Sequence, residues 1–491
     1  MLKTSLRQIG IVGLSNIILS IRGLILLPTL TKFWGPFDFG IMSLVNVTIS
    51  LAIPFTTMGL RTSLSRFLIS EKSNTEVQEA FFSVISIICV ASLLIAGILI
   101  IFSKEIAIIL FKDEIYASYL IITAFLIIFQ SLIATSLSFF PATKKIVTYA
   151  IFINIQNILE MVIILFLVFS GFGVFEVLEG LLITNIIIFV SFFSYIIYLI
   201  GFKIPNFSKL LPYLKFGFPL IPTMLLTWVI NSSDAYLIGI YFNLTLVGIY
   251  STAYSIGYIM YMFFAPISLI LLPTISQLWD SGNYKEVENH LSKSVRYFLL
   301  LTIPAVFGLS VLSYPLILLF STVEFLPGAI VIPFVASGLI FFGLHSIIST
   351  ILTSKLRTDL IAFSLILAAI TNIVLNILLL PLLGILGAAI SSLITYFAVF
   401  IVALYYTQKI FIINFDYLFI FKCILCSILM SLVIYFFNPM SILQIFLIII
   451  LGIFVYFIGL FFMKGITKPE IFGIFELIGI DINKMLNKIL I

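Results

Sequence analysis

About fourteen stretches of roughly twenty apolar residues fill this chain, and nearly all of its positive charge falls in every second gap between them. A helix needs about 20 apolar residues to cross roughly 30 Å of hydrocarbon. Only helices and closed barrels satisfy their backbone polar groups at that depth, and runs this long exclude the barrel. The predicted spans are 9–30, 40–60, 81–102, 116–139, 147–170, 177–200, 216–241, 247–275, 297–320, 328–352, 360–380, 384–407, 417–437 and 441–462. The expected fold class is all-α, a polytopic protein of the cell (cytoplasmic) membrane. With the N-terminus on the cytoplasmic side, alternate segments from Lys3 and Arg7 to Lys484 and Lys488 hold 21 of the 25 Lys plus Arg. The opposite face holds Lys32, Lys104 and Lys112, and Arg22 lies inside a span. Positive side chains near span ends stay cytoplasmic, which predicts both termini on that side. One omitted span would invert every later loop, so the segregation also checks the count.

Charged residues make up 9% of the chain, against about 25% in soluble domains. The net charge of +5 is the positive-inside excess spread over short loops, and nucleic acid is not an expected partner. The first apolar stretch is too long for a signal peptide and lacks a small-residue cleavage site, so no cleavable leader is expected. Cys89, Cys423 and Cys426 all fall in spans, and the CxxC formed by the last two has no accompanying His. Neither a disulfide framework nor a bound metal is expected. Beyond Phe462 the pattern turns amphipathic, with Ile471, Ile474, Phe475, Ile478, Ile482, Met485, Leu486 and Ile489 at helical spacing after a Thr467–Glu470 capping box. This tail reads either as a helix on the cytoplasmic membrane surface or as one packed under the bundle.

An internal repeat organises the rest. The segment FWGPFDFGIMS at 33–43 returns about 208 residues later as YFNLTLVGIYS, with Gly248 answering Gly40 and Ser251 answering Ser43. Lys144 matches Lys355 at an offset of 211, as do Gly173 and Gly384, and Leu182-Ile183-Thr184 and Leu393-Ile394-Thr395. Spans 1–6 and 7–12 are thus parallel repeats, since an even span number gives both halves one orientation. Carriers of this kind bind between the halves and rock them to alternate access. The predicted units are an N-lobe at 1–205, a C-lobe at 206–410, two extra spans at 411–463 and the cytoplasmic tail at 464–491.

The opening pattern LPTLTKFWGPFDFGIMSL followed by GLRTSLSRFL resembles the first two spans of the Wzx-type polysaccharide-export flippases. These are the O-antigen and repeat-unit lipid flippases of the multidrug/oligosaccharidyl-lipid/polysaccharide exporter superfamily. The run FGFPLIPTMLLTWVINSSDAYLIGIYFNLTLVGIYSTAYSIG, containing Asp234, is similar to their second half, and GILGAAISSLITY from Gly384 to their twelfth span. The tail from Thr467-Lys468-Pro469-Glu470 fits as well. The resemblance spans essentially the whole chain. It implies two six-helix lobes plus two helices, and the transport of undecaprenyl-diphosphate-linked oligosaccharide between leaflets for cell-surface polysaccharide synthesis. It also implies membrane lipids and other polysaccharide-assembly proteins as partners, and an arginine at Arg66 near the inward-facing mouth.

Such a task needs a wet and preferably positive interior, so charges inside spans are the first candidates. Arg22 and Glu160 each lie thirteen residues into their spans, about 20 Å deep. An ionised side chain at mid-helix costs roughly 2.5–3.5 kcal/mol on insertion scales, so each should face a partner or a cavity. Arg22 is a candidate substrate-binding residue with Glu160 as counter-charge; a permanent bridge that holds the lobe together fits the residues equally well. Asn154, Asn157 and Glu160 share one face of span 5, and Asn372 and Asn376 share one face of its repeat partner, span 11. These amides suit either a shared sugar cavity or interhelical hydrogen bonds. Asp234 and Glu160 are the candidates for binding a coupling H+ or Na+, with no other cofactor expected, and capping a helix or contacting headgroups suits Asp234 equally well. Tyr250, Tyr254, Tyr258 and Tyr261 line one face, suited to core packing or to stacking on sugars. Arg61 and Arg66 are five apart, so both cannot face one cavity on a continuous helix; anchoring or headgroup capture explains them. His345 is the one histidine within a span.

No phosphate-binding Walker loop and no catalytic constellation is present, so a transporter driven by a gradient is expected rather than an enzyme. The alternative is a multidrug/toxin cation antiporter of the same superfamily, which should surround a compact cavity with acidic residues. A membrane polysaccharide polymerase or ligase needs a sizeable outer loop with catalytic Arg or His, and these outer loops are short.

Overall fold

In the computed structural model, described over residues 2–68, 73–437, 439 and 441–466, the chain is a bundle of long helices with no strand among the described residues. In order they are α1 Leu2–Thr57, α2 Leu60–Phe67, α3 Asn74–Ile101, α4 Ser103–Phe111, α5 Ala117–Ala142, α6 Ile146–Phe169 and α7 Val174–Ile200. There follow α8 Leu210–Gly217, α9 Leu220–Tyr241, α10 Leu244–Gly257, α11 Tyr261–Asp280, α12 Tyr284–Val311 and α13 Ser313–Phe320. The last five are α14 Val331–Ser354, α15 Thr358–Leu383, α16 Ile385–Gln408, α17 Tyr417–Tyr435 and α18 Ile442–Phe462. The amphipathic stretch after Thr467 lies outside the described residues.

Thirteen described helical stretches are long and apolar enough to cross a membrane. The first of them contains two of the fourteen predicted spans. An uninterrupted helix of 56 residues would run about 84 Å, nearly three bilayer cores. The break comes at Gly35, whose φ of 72° is left-handed and open only to a residue without a Cβ, with Pro36 restarting the helix. Counting the limbs on either side of Gly35 separately restores fourteen. Elsewhere, polar caps mark some of the helix starts. Ser73 and Glu76 form a capping box on α3, as do Ser441 and Gln444 on α18. The Asn243 side chain accepts from the Leu246 amide at the start of α10.

In the first half, α3, α5, α6 and α7 pack around α1. In the second, α9, α15, α16 and α14 adjoin one another, α10 and α11 flank α14, and α17 joins α12 to α18. The halves meet most closely where α1 crosses α10. A Cβ built on Gly40 would sit 2.0 Å from the Leu244 carbonyl oxygen, and one on Gly248 would sit 1.9 Å from that of Pro36. Both positions therefore require glycine. One turn on, the Ser43 and Ser251 hydroxyls are hydrogen-bonded at 2.6 Å. Positions matched by the 208-residue offset thus touch each other. Some 28 Å further along α1, by helical rise, the halves meet again. There Met58 and Gly59 have φ of 46° and 66°, and a Cβ on Gly59 would sit 2.3 Å from the Gly217 carbonyl oxygen. The Ser63 hydroxyl donates to the Tyr213 carbonyl at 2.8 Å, and Phe67 packs edge-on to Phe216.

Candidate functional site

Two polar clusters interrupt the apolar interior, one in each half. In the first, the Arg22 guanidinium on α1 meets two side chains of α6. It donates to the Asn157 side-chain oxygen at 2.7 Å and reaches the Glu160 carboxylate at 2.8 Å. The Gln156 amide donates to the other Glu160 oxygen at 2.9 Å. Asn154, one turn earlier, donates to the Ser15 hydroxyl at 3.0 Å. The equal depth of Arg22 and Glu160 along their spans is thus an ion pair. Glu160 and Asn157 are buried while the Arg22 side chain keeps 21% exposure, so the pair presents the cation and hides the carboxylate. A neutralised pair removes most of the cost of holding a charge at this depth.

The second cluster centres on Asp234 of α9, which is 2% exposed. Its carboxylate accepts from the Tyr250 hydroxyl of α10 at 2.6 Å, the Ser392 hydroxyl of α16 at 2.5 Å and the Asn376 amide of α15 at 2.8 Å. Asn372 accepts from Ser233 at 2.9 Å and from Asn376 at 3.2 Å. The Tyr396 hydroxyl donates to Asn231 at 2.7 Å. No cation pairs with Asp234 among the described residues. Beside it the Asn376 side-chain oxygen is buried with no hydrogen-bond partner. A carboxylate with an unpartnered amide oxygen beside it is a donor set that suits a hard cation, which takes oxygen ligands. Among the described residues no three His, Cys, Asp or Glu gather at one point.

The predicted residues are therefore distributed unevenly. Arg22, Asn157 and Glu160 come together, and Asn154 lies one turn away on Ser15. Asn372 and Asn376 are completely buried and turned to Asp234, not to open space. Arg66 lies exposed at the α2–α8 contact, its guanidinium 4.5 Å from the centre of the Phe216 ring. The four tyrosines form a ladder with ring centres 5.9, 5.9 and 5.0 Å apart, which Tyr250 anchors at Asp234. His345 is buried beside Ser349 at 3.4 Å, away from both clusters' hydrogen bonds. Ser392, Asn231, Tyr396 and Gln156 were not singled out from the sequence.

Comparison with known proteins places this architecture. The chain resembles a lipid II flippase MurJ solved in an inward closed conformation, with a TM-score of 0.76 and 25% identity over 92% of this chain and 98% of that one. A multidrug resistance MATE family transporter of the MOP superfamily, in an inward-facing conformation, follows at a TM-score of 0.63, with 13% identity over 80% of this chain and 93% of that one. That second likeness is one of fold alone. In sequence, the chain is 29% identical over 228 residues to the probable low-salt glycan biosynthesis flippase Agl15 of Haloferax volcanii. It is 32% identical over 133 residues to the lipid II flippase MurJ of Bacillus subtilis. These matches cover 45% and 26% of this chain, and 48% and 24% of the relatives, so the chain spans half the length or less of the curated proteins it matches. Residues 29–330, more than half of the chain, match the family of polysaccharide biosynthesis proteins, and the chain belongs to that family.

Proposed function

We propose that this protein is a flippase that carries lipid-linked oligosaccharide repeat units, on undecaprenyl diphosphate, across the cytoplasmic membrane by alternating access, for cell-surface polysaccharide synthesis. The observation that carries the reading is the arrangement of the two halves. They close on each other at both ends of the bundle, through Gly40 and Gly248 at one end and Gly59 and Gly217 at the other. A carrier that opens to one side at a time needs two such closures. The relatives named as glycan and lipid II flippases support the substrate class. In this reading residues 1–205 and 206–410 are the rocking lobes, and the loops rich in Lys and Arg, with both termini, face the cytoplasm. The Gly59–Gly217 contact is then the cytoplasmic closure.

The two polar clusters take different tasks. Arg22, presented by Glu160 and Asn157, is the interior cation for the anionic headgroup. Asp234, with Asn376, Ser392 and Tyr250 around it, is the site for a coupling Na+ or H+, whose charge would compensate the buried carboxylate. Asn372 holds Asn376 in place. Multidrug antiport finds less support, because the acidic groups of the two interior clusters are one carboxylate already paired with Arg22 and one enclosed by hydrogen-bond donors.

The test is flipping in proteoliposomes that contain a fluorescent diphosphate-linked oligosaccharide, comparing the wild type with Arg22→Ala. Protein-dependent flipping that falls at least tenfold in the variant is the expected result. Absence of flipping, with ion-driven export of organic cations instead, would transfer the chain to the antiporter branch.

A further inference from the structure

Most arginines in the described structure have a partner. Arg22 meets Glu160, Arg296 meets Asp416 at 2.7 Å, Arg357 meets Asp359 at 3.0 Å, and Arg66 lies over Phe216. Arg61 differs. Its Nε is buried and has no hydrogen-bond partner, although the residue opens α2, outside the spans and next to the closure made by Gly59 and Gly217. Burial pushes the guanidinium below its usual value, and the one charge-bearing neighbour that acts on it is the Tyr149 hydroxyl in the first turn of α6. Tyr149 lies one turn after Lys145, to whose carbonyl its amide is hydrogen-bonded at 3.1 Å. Lys144 and Lys145 occupy the turn between α5 and α6, and α2 packs on α5. Three cations thus lie on the packed α2 and α5–α6 segments, the two lysines exposed, and none of them has an acidic partner within the described structure.

A half-buried guanidinium whose Nε is enclosed without a partner is costly, and the fold tolerates it where an anion completes the site. The planar fork of Arg matches two oxygens of a phosphate at once, which a lysine cannot do. We infer that Arg61 is the centre of a phosphate-binding site between α2 and the α5–α6 turn, with Lys144 and Lys145 beside it, which receives a phosphate-bearing headgroup at this closure. The site deepens the flippase reading, since a lipid diphosphate supplies that anion, and it is distinct from the interior pair, where Glu160 already neutralises Arg22. A bilayer phospholipid headgroup carries the same chemistry.

The experiment uses the full chain in nanodiscs of zwitterionic lipid, with farnesyl diphosphate as probe, read by thermophoresis. Arg61→Ala should weaken binding roughly 10- to 100-fold, the range for a lost charge-assisted pair. Arg61→Lys, which keeps the charge and guards against a folding defect, should weaken it by a smaller factor, and Lys355→Ala should leave it unchanged. A second arm substitutes anionic phospholipid for the probe. Arg61-dependent binding there, and not of farnesyl diphosphate, assigns the same phosphate site to bilayer lipid. Affinity within twofold of wild type in both Arg61 variants and both arms overturns the inference. Flipping and binding fail separately: Arg61-dependent diphosphate binding without flipping sinks the transport reading alone, and flipping with Arg61-independent binding sinks this inference alone.

Discussion

Replacing Gly248 by alanine tests the closure between the halves directly. The new Cβ would sit 1.9 Å from the Pro36 carbonyl oxygen, where side-chain carbons do not approach backbone oxygen closer than about 3 Å. Because the obstacle is backbone, a rotamer change cannot relieve it, and α1 and α10 must part by about 1 Å. Overpacking of this kind costs typically 1–3 kcal/mol. At 1.4 kcal/mol per factor of ten, the closed arrangement loses roughly 5- to 150-fold in population against the separated one. Ser43 and Ser251 report on that population, because their hydroxyls lie 2.6 Å apart one turn away. In a background with Cys89, Cys423 and Cys426 replaced by alanine, Ser43→Cys with Ser251→Cys should form a disulfide rapidly under mild oxidation. Adding Gly248→Ala should slow that reaction at least fivefold, and Gly40→Ala, at 2.0 Å from the Leu244 oxygen, should do the same. Cross-linking at an unchanged rate in both glycine variants would refute the claim that this crossing sets the closure.

Three further outcomes follow from the clusters and the opposite closure. Removing Glu160 leaves the Arg22 charge without its partner, so Glu160→Ala should lower stability more than the Arg22→Ala, Glu160→Ala double variant does; a thermal-unfolding cycle should show coupling of about 1–3 kcal/mol, and additive effects would dismiss the pair. If Na+ binds at Asp234, wild type should melt higher in sodium than in potassium, by up to about 2.7 kcal/mol at a hundred times the dissociation constant, and Asp234→Asn should abolish the difference. For H+ coupling the corresponding loss is that of the pH dependence of flipping, so an Asp234→Asn protein that keeps its wild-type ion and pH dependence would end the coupling assignment. Gly59→Ala meets the Gly217 backbone at 2.3 Å and a φ of 66°, and should raise the rate at which a probe placed at Ser63→Cys reacts with a membrane-impermeant maleimide; an unaltered rate would deny the contact a closing role.

What the sequence could convey depended on whether the constraint was local. Span lengths follow from the bilayer, and the Gly35-Pro36 pair announces its own break, so helix positions were readable to within a few residues. The Arg22–Glu160 pair was readable too, because equal depth in a low-dielectric medium leaves few other partners. Direction around a helix was harder to read. Asn372 and Asn376 read equally well as cavity groups or as interhelical bonds, since spacing identifies a common face without saying what covers it; their enclosure with Asp234 comes from the packing of α15 on α9. Arg61 and Arg66 read alike as basic loop residues, yet the restart of the helix after Gly59 turns one inward and leaves the other over Phe216. Hydroxyls such as Ser392 carried almost no signal, because serine is unremarkable in membrane helices until a carboxylate is found beside it.

The contact between Gly40 and Gly248, with Ser43 against Ser251, joins each residue to its own counterpart in the other repeat. That is the geometry found on the axis of a two-fold dimer, where a residue faces its own copy. A single-repeat ancestor would have met its twin through this seam, so that any change there appeared on both sides at once. Duplication within one chain lifts that rule everywhere else, and one half could acquire an ion pair while the other acquired a lone carboxylate. Along the seam the rule still holds in practice. The two backbones are so close that a side chain larger than hydrogen on either strand is an obstacle to both, and neither half can drift alone.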